Sequence, residues 1–472
     1  MQQQLERQAE PFGGEVVVRG TRVDVTNPAV LASARMDALV RSAVFGGEAE
    51  RDRARWLIWE IGQSVGVRAA SIDDLYRARG RGEIGGFTVP AINVRGMAYD
   101  TARAIFRTAT RLNAGAFILE IARSEIAYTD QRPAEYVAVM LAAALREGFR
   151  GPVFIQGDHF QVNAKKFAAD PVAEVAAVRQ LALEAITAGF YNVDVDTSTL
   201  VDLSKPTLDE QQRVNYETCV ELTTYVRSLE PSGVTISIGG EIGEVGTENS
   251  TVGELRAFMD GYNRVLATRA GRMVGLSKIS VQSGTSHGGT VLPDGTIADV
   301  NIDFETLRTL SAVARKEYGL AGAVQHGAST LPESAFDNFP KVETAEIHLA
   351  TNFQNMLYEH LPPALRAEVY DWLRANAADE RKAKDSDEQF FYKTRKKALG
   401  PFKRALWDLP DDVREALARA YDRKFEFLFS KLAIGGTADA VSRYVHAPEI
   451  HRPLPGHAPG VEAAPDDPDA GE

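Results

Sequence analysis

The chain has 472 residues with 44% hydrophobic and 25% charged content, enough apolar material for a full core, which sets aside a disordered chain. A formal net charge of −12 argues against nucleic acid as a partner, because that binding rests on Lys and Arg neutralising phosphates. The single cysteine, Cys219, excludes an intrachain disulfide and any multi-cysteine metal site, so zinc here would need His and carboxylate ligands.

The start, MQQQLERQAEPFGG, lacks the apolar core of a secretory signal, and no apolar run approaches the ~20 residues of a membrane span. A cytoplasmic protein without membrane partners is expected. Residues 1–70 read as a helical extension, in which Trp56, Trp59 and Ile61 fall near helical spacing and predict packing against a barrel or a second subunit. Between residues 71 and 355, short β-rich runs alternate with longer helical patterns, the rhythm of a parallel sheet wrapped by helices. The runs are GFTVPAINV (86–94), GAFILEIA (115–122), GPVFIQGDH (151–159), YNVDVDT (191–197), VTISIGGEIG (234–243), MVGLSKISVQSG (273–284), GAVQHGAS (322–329) and KVETAEIHLAT (341–351). Several are almost continuously apolar, as strands covered on both faces should be. Eight of them predict an α/β fold, a closed TIM (β/α)8 barrel with helical N- and C-terminal extensions, and place the chemistry in the loops after the strands. A C-terminal helical extension follows over 356–446. Pro362 and Pro363 open one helix there, and another from about Asp411 aligns Val413, Leu417, Tyr421, Phe425, Leu428 and Leu432 on one face. Residues 447–472, with several prolines and acidic groups and few large apolar side chains, predict a disordered tail.

Of eight histidines in the chain, His159, His287, His326 and His348 lie at or near predicted strand ends, as does Glu241. A barrel gathers those ends on one face, where imidazole and carboxylate together suit zinc. Each histidine alone is more simply a hydrogen-bonded core or rim residue; the joint pattern favours metal. Two readings stand for Asp158: a proton donor beside a metal-bound carbonyl compound, or a group that orients a ligand or caps a helix. Glu248 is either carried over the site by the loop bounded by Gly243 and Gly246 or left as a solvated carboxylate. Small residues after His287 and His326, including Gly288, Gly327 and Ser329, let backbone N–H groups approach a phosphate. The basic run YKTRKKALGPFKR, with Arg395, offers a second phosphate contact or a solvated helix face.

These motifs resemble the zinc-dependent class II ketose-bisphosphate aldolases, typified by class II fructose-1,6-bisphosphate aldolase, over roughly residues 71–355 and more weakly to about 430. The likeness begins with SIDDLYRARGRGEIGGFTVPAINV and continues in QGDHF, STLVDLSKPTLDEQQRVNYE, GGEIGEVG, SGTSHGG and VQHGAS. It implies His159, His287 and His326 as zinc ligands, Glu241 as an alternative or mobile ligand, and a supporting role for Asp202 near the metal. It implies Asp158 as catalytic acid and a loop glutamate, Glu248 being the nearest match, at the nucleophilic carbon. Zinc would polarise the ketone of dihydroxyacetone phosphate and stabilise its enediolate without a Schiff-base lysine. A monovalent cation near the phosphate loop is a further implication. Asn93, Gly288, Gly327, Ser329, His348, Thr351 and Arg395 are then the substrate- and phosphate-side candidates.

The departures from the family pattern fall on substrate contacts. His348 stands where the family carries an asparagine, Gly327-Ala328-Ser329 replaces Gly-Gly-Ser, Gln156 replaces a histidine, and Ala122-Arg123 occupies a position where serine is common. The expectation is reversible cleavage of a ketose phosphate, by default fructose-1,6-bisphosphate, by a homo-oligomer (dimer or tetramer). The alternatives are another sugar phosphate such as tagatose-1,6-bisphosphate, or a non-catalytic zinc-binding relative. A zinc-dependent barrel hydrolase would need a His-x-His pair on an early strand, which the sequence lacks.

Overall fold

Alternating valines on either side of Gly20-Thr21 fold VVVRGTRVDV into an antiparallel hairpin of β1 (Val16–Arg19) and β2 (Arg22–Val25). Gly20 has φ 63°, the left-handed conformation that such two-residue turns demand. The hairpin adds to the helices expected in this region, which are Gln2–Ala9, Ala34–Phe45 and Glu48–Val65. Trp56 and Trp59 on the last of these are buried, as packing predicts.

The computed structural model describes residues 1–243, 248–284, 292, 302–457 and 460–468. After β3 (Val67–Ala70), each of the eight apolar runs gives one barrel strand, with β6 extending two residues past its run: β4 (Val89–Asn93), β5 (Ile118–Ala122), β6 (Gly151–Gln161), β7 (Asn192–Asp196), β8 (Ser237–Glu241), β9 (Lys278–Val281), β10 (Ala323–Gln325) and β11 (Glu346–Leu349). They pair in parallel from β4 through β11, and β11 returns to β4, closing a TIM barrel. β6 is long enough to serve two neighbours on one side: its first half pairs with β3 and its second half with β7. Asn192 secures that fork, accepting from Ile72 N at 2.9 Å and donating to Ala70 O at 3.1 Å and Ile155 O at 3.0 Å. These buried backbone groups would otherwise lack partners where the strands part.

The C-terminal helices pack on the barrel's outside. Helix Asp411–Lys431 buries Leu417, Tyr421, Phe425 and Leu428, and Arg107 of helix Ala98–Leu112 reaches its Asp422 at 2.9 Å. Among the described residues, no helix is long and apolar enough to cross a membrane.

Among the described residues beyond 447, where composition predicts disorder, several side-chain and backbone groups contact the rest of the chain. Indole N–H groups of Trp56 and Trp59 donate to the carbonyls of Arg452 (3.2 Å) and Ile450 (2.7 Å), and the Arg452 guanidinium lies 3.6 Å from the Trp59 ring centre. Further along, Ala464 N donates to Glu184 at 2.9 Å, Arg132 pairs with Asp466 at 2.8 Å, and Asp467 is 1% exposed. These described residues have no core of their own; their hydrogen bonds and ion pairs run to the Glu48–Val65 helix and to Arg132 and Glu184 on the outside of the barrel.

Candidate metal centre and active face

The centre depends on an irregularity in β6. Successive strand side chains normally point to opposite faces, so Asp158 and His159 should diverge. Between Gly157 and Phe160, however, β6 advances three residues while β7 advances two, from Val193 to Val195. This is a bulge with one extra residue, and His159 takes up the turn at φ 40°. Both side chains consequently reach the interior. Asp158 accepts from Asn93 Nδ2 at 2.9 Å, and His159 Nδ1 lies 3.0 Å from Asp196 Oδ2 and 3.7 Å from Glu241 Oε2. Gly157 is required beside them, because a Cβ there would lie 2.4 Å from the Phe160 ring.

His326, just past β10, completes a group with His159 and Glu241 whose ligand atoms lie within 4.8 Å of one another. All three residues are 3–4% exposed. Zinc ligand bonds of about 2.0–2.2 Å put tetrahedral ligand atoms about 3.4 Å apart, so a small inward adjustment would close the group on one ion. The donor set fits such a metal: two imidazoles and a carboxylate, with the Asp196 carboxylate behind His159 as ligating imidazoles require. Asp196 Oδ1 is itself fixed by Ser198 N (3.0 Å) and Ser198 Oγ (2.7 Å). Burial acts to lower the His159 pKa, but Asp158, the Asp196 hydrogen bond and Glu241 outweigh it and raise it to about 10. The Glu241 carboxyl is raised by burial and then by Asp196. A metal bound here would have to displace protons from this cluster, so its binding would weaken at low pH.

Asp158 lies 3.8 Å from His326 and 3.2 Å from His348. Burial opposes its ionisation, yet His159 and His348 hold its pKa well below the ordinary carboxylate range. In that state it accepts a proton; to donate one it must first be protonated during turnover. His348 is wedged between layers, with Nδ1 3.0 Å from Glu120 and Nε2 2.8 Å from Glu346. Its ring centre is 4.1 Å from that of His326.

Beneath this face the barrel interior carries charge where apolar branched side chains are usual. Lys278 on β9 reaches Gln156 on β6 at 2.8 Å and Asp194 on β7 at 2.9 Å, and also pairs with Glu346 on β11. These contacts join strands that are not all neighbours, so the side chains meet inside the barrel. Gln156 also donates to Glu120 at 2.7 Å, and Tyr76 OH donates to Glu346. Gly239 leaves room for the network, since a Cβ there would lie 2.3 Å from Asp194 Oδ1 and 2.9 Å from Lys278 Cε. Burial would lower the Lys278 pKa, but Asp194 and Glu346 raise it above its ordinary value. Burial would likewise raise Glu346, but Lys278 brings it down to about 2. Glu120 is pushed up to about 8, by burial first and Asp158 second. Glu120, Asp194, Glu346 and His348 could by spacing alone hold a cation; the Lys278 ammonium already fills that role.

The other sequence candidates divide. Asn93 is 3% exposed and bridges Asp158 and Glu125, inside the site. Gly327 adopts φ 71°, and Ser329 Oγ accepts from the N–H groups of Ala350 (3.1 Å) and Thr351 (3.2 Å), joining the loops after β10 and β11. Arg395 lies 4.5 Å from the Tyr392 ring centre and 5.0 Å from that of Tyr358, and donates to Asn355. Glu248 is exposed. His287 and Gly288 lie outside the described residues. The Asp202 side chain is 45% exposed and bonds to Ser204 and Lys205, apart from the group formed by His159, Glu241 and His326. Asp196, six residues earlier, is the carboxylate that lies 3.0 Å from His159 Nδ1. Asp194, Asp196, Glu120, Glu346, Gln156 and Lys278 were not singled out as members of the interior network. Their signal is charge or amide recurring every second residue in otherwise apolar strands, as in Gln156/Asp158, Asp194/Asp196 and Glu346/His348.

The family described as fructose-bisphosphate aldolase class-II matches residues 80–406. A probable tagatose 6 phosphate kinase from Sinorhizobium meliloti is similar in structure, with TM-score 0.52 and 18% identity over 75% of this chain and 98% of that one. That likeness concerns the fold. Fructose-bisphosphate aldolase from Campylobacter jejuni gives TM-score 0.47 and 17% identity, covering 79% and 98% of the two chains. Fructuronate-tagaturonate epimerase UxaE from Cohnella laeviribosi gives 0.48 and 13%, covering 91% and 94%. Comparison with curated proteins returns no match.

Proposed function

From the premise that the chain belongs to the class II fructose-bisphosphate aldolase family, we propose that it catalyses reversible aldol cleavage of a ketose phosphate. The default substrate is fructose-1,6-bisphosphate, yielding dihydroxyacetone phosphate and glyceraldehyde 3-phosphate. The observation that carries this reading is the convergence of His159, Glu241 and His326 within 4.8 Å beside an ionised, buried Asp158. These three residues, with His287, would hold zinc, which when bound supplies Lewis-acid polarisation of a carbonyl.

The chain's own groups account for the proton movements. Ionised Asp158, held by Asn93 at 2.9 Å, accepts the hydroxyl proton whose loss initiates carbon–carbon cleavage and returns it in the synthetic direction. Glu248 is assigned the proton at the nucleophilic carbon. Gly288, Gly327, Ser329, Thr351 and Arg395 are assigned to phosphate, a monovalent cation is assigned to the phosphate loop, and the active form is a homo-oligomer, dimer or tetramer, in the cytoplasm. Lys278 is not a Schiff-base nucleophile: Asp194 and Glu346 keep it protonated.

One observation favours a different ketose, such as tagatose-1,6-bisphosphate. His348 presents a bulky imidazole 3.2 Å from Asp158, where the family carries an asparagine. The test is a panel of zinc-loaded reactions on ketose mono- and bisphosphates, with products identified by NMR so that cleaved fragments are distinguished from an epimerised ketose. EDTA should abolish cleavage, and borohydride with substrate should trap no covalent adduct. Epimerisation without fragments would replace the lyase reading. Bound zinc with neither cleavage nor solvent exchange of a dihydroxyacetone phosphate proton would identify a non-catalytic relative.

A further inference from the structure

Arg123, which stands where serine is common, meets the C-terminal tail directly behind the metal group. It follows the last residue of β5, Ala122, whose register partner on β6 is Asp158. Its side chain is 3% exposed and lies between two carboxylates: Nη1 donates to Glu174 at 2.6 Å, and Nη2 is 3.4 Å from Asp467 Oδ2. Lys166 approaches the same Asp467 oxygen at 2.9 Å. Arg123 Nη1 also donates to the carbonyl of Gln161 at 2.6 Å. The Gln161 side chain donates at 2.6 Å to Asp196 Oδ2, the atom 3.0 Å from His159 Nδ1. An unbroken series of polar contacts thus runs from the tail to an imidazole of the candidate centre.

We propose that Asp467 is a positioning residue for that centre, acting through Arg123, Gln161 and Asp196 on the orientation of His159. The inference rests on reading His159 as a metal ligand. Removing the Asp467 charge takes away one of the two carboxylates that flank the buried Arg123 guanidinium and leaves Glu174 as its remaining ion-pair partner on that side. The guanidinium then moves toward the remaining carboxylate and loosens its hold on the Gln161 carbonyl. Groups that orient a ligating histidine commonly change metal affinity by about 10–100-fold. Asp467 acts at two removes, so the lower end applies.

The test is zinc titration of the full chain against a chromophoric chelator. Asp467→Asn should raise the zinc Kd about tenfold, and Asp467→Glu should restore most of the loss. A tail that only staples the outer helices would lower the thermal midpoint of the metal-free protein and leave Kd unchanged, which would overturn the proposal. A second measurement uses the unaltered protein and holds even where a variant does not fold. Coupling between sites is reciprocal, so zinc should slow amide hydrogen exchange over residues 464–468. Equal exchange with and without bound zinc would overturn the proposal. Absence of zinc binding to the unaltered protein would refute the metal reading itself and take this inference with it.

Discussion

Replacing Lys278 with methionine removes the ammonium that neutralises the barrel interior while keeping a side chain of similar length. Lys278 is 1% exposed, 2.9 Å from Asp194 and 2.8 Å from Gln156, and pairs with Glu346. Taking one partner from a buried ion pair costs about 3–5 kcal/mol, because the other charge stays buried without compensation. For a chain of this length the unfolding entropy is on the order of 1 kcal/mol per degree, so the thermal midpoint should fall by about 3–5 °C. The loss also has a pH signature. Lys278 brings the Glu346 pKa from 4.5 down to about 2. A depressed carboxylate stabilises the fold above its unfolded pKa, and that stabilisation disappears as pH falls through the folded value. The gap between the natural chain and Lys278→Met should therefore be full near neutrality and narrow as pH drops below 4.5 toward 2. Scanning calorimetry of metal-free protein across a pH series reads both effects. A midpoint shift under about 1 °C, or a gap equally wide in acid and at neutrality, would refute the account of Lys278 as the interior counter-charge.

Gly239→Ala should destabilise the fold by about 1–3 kcal/mol, measured by denaturant unfolding, since its Cβ would meet Asp194 at 2.3 Å; an unchanged midpoint would show that the network readily shifts. Asp158→Asn should retain zinc in metal analysis while slowing cleavage about 10²–10⁴-fold, and normal turnover would remove Asp158 from proton transfer. Asp202→Asn should leave the zinc Kd unchanged, in keeping with its 45% exposure; a large loss of affinity would return it to the metal centre.

The eight strands were legible because each is a short Val- or Ile-containing run buried on both faces, a local property. His159, Glu241 and His326 were legible by their places at strand ends. Asp202 stands in the resembling stretch after β7, whereas the carboxylate beside His159 is Asp196, still within β7. Lys278, Asp194 and Glu346 sat in the recognised runs LSKISV, NVDVD and TAEIHL, but their meeting depends on barrel closure, which no single strand displays. The contacts of the described tail residues are illegible for the same physical reason. The tail's composition is that of a disordered segment, and the contacts of its described residues include partners nearly 400 residues away, such as Trp59 for Ile450.

The bulge in β6 means that QGDHF is a unit of backbone as much as a string of functional groups. Grafting Asp and His in succession onto a regular strand of another barrel would send one of them outward. A working transplant would need the extra residue, the missing Cβ at Gly157 beside Phe160, and a left-handed residue at the ligand position. Among L-residues, Asn, Asp and His tolerate that conformation more readily than most. Of these, histidine alone supplies an imidazole donor, so position 159 joins a backbone requirement to a ligand requirement, and random substitution should rarely satisfy both.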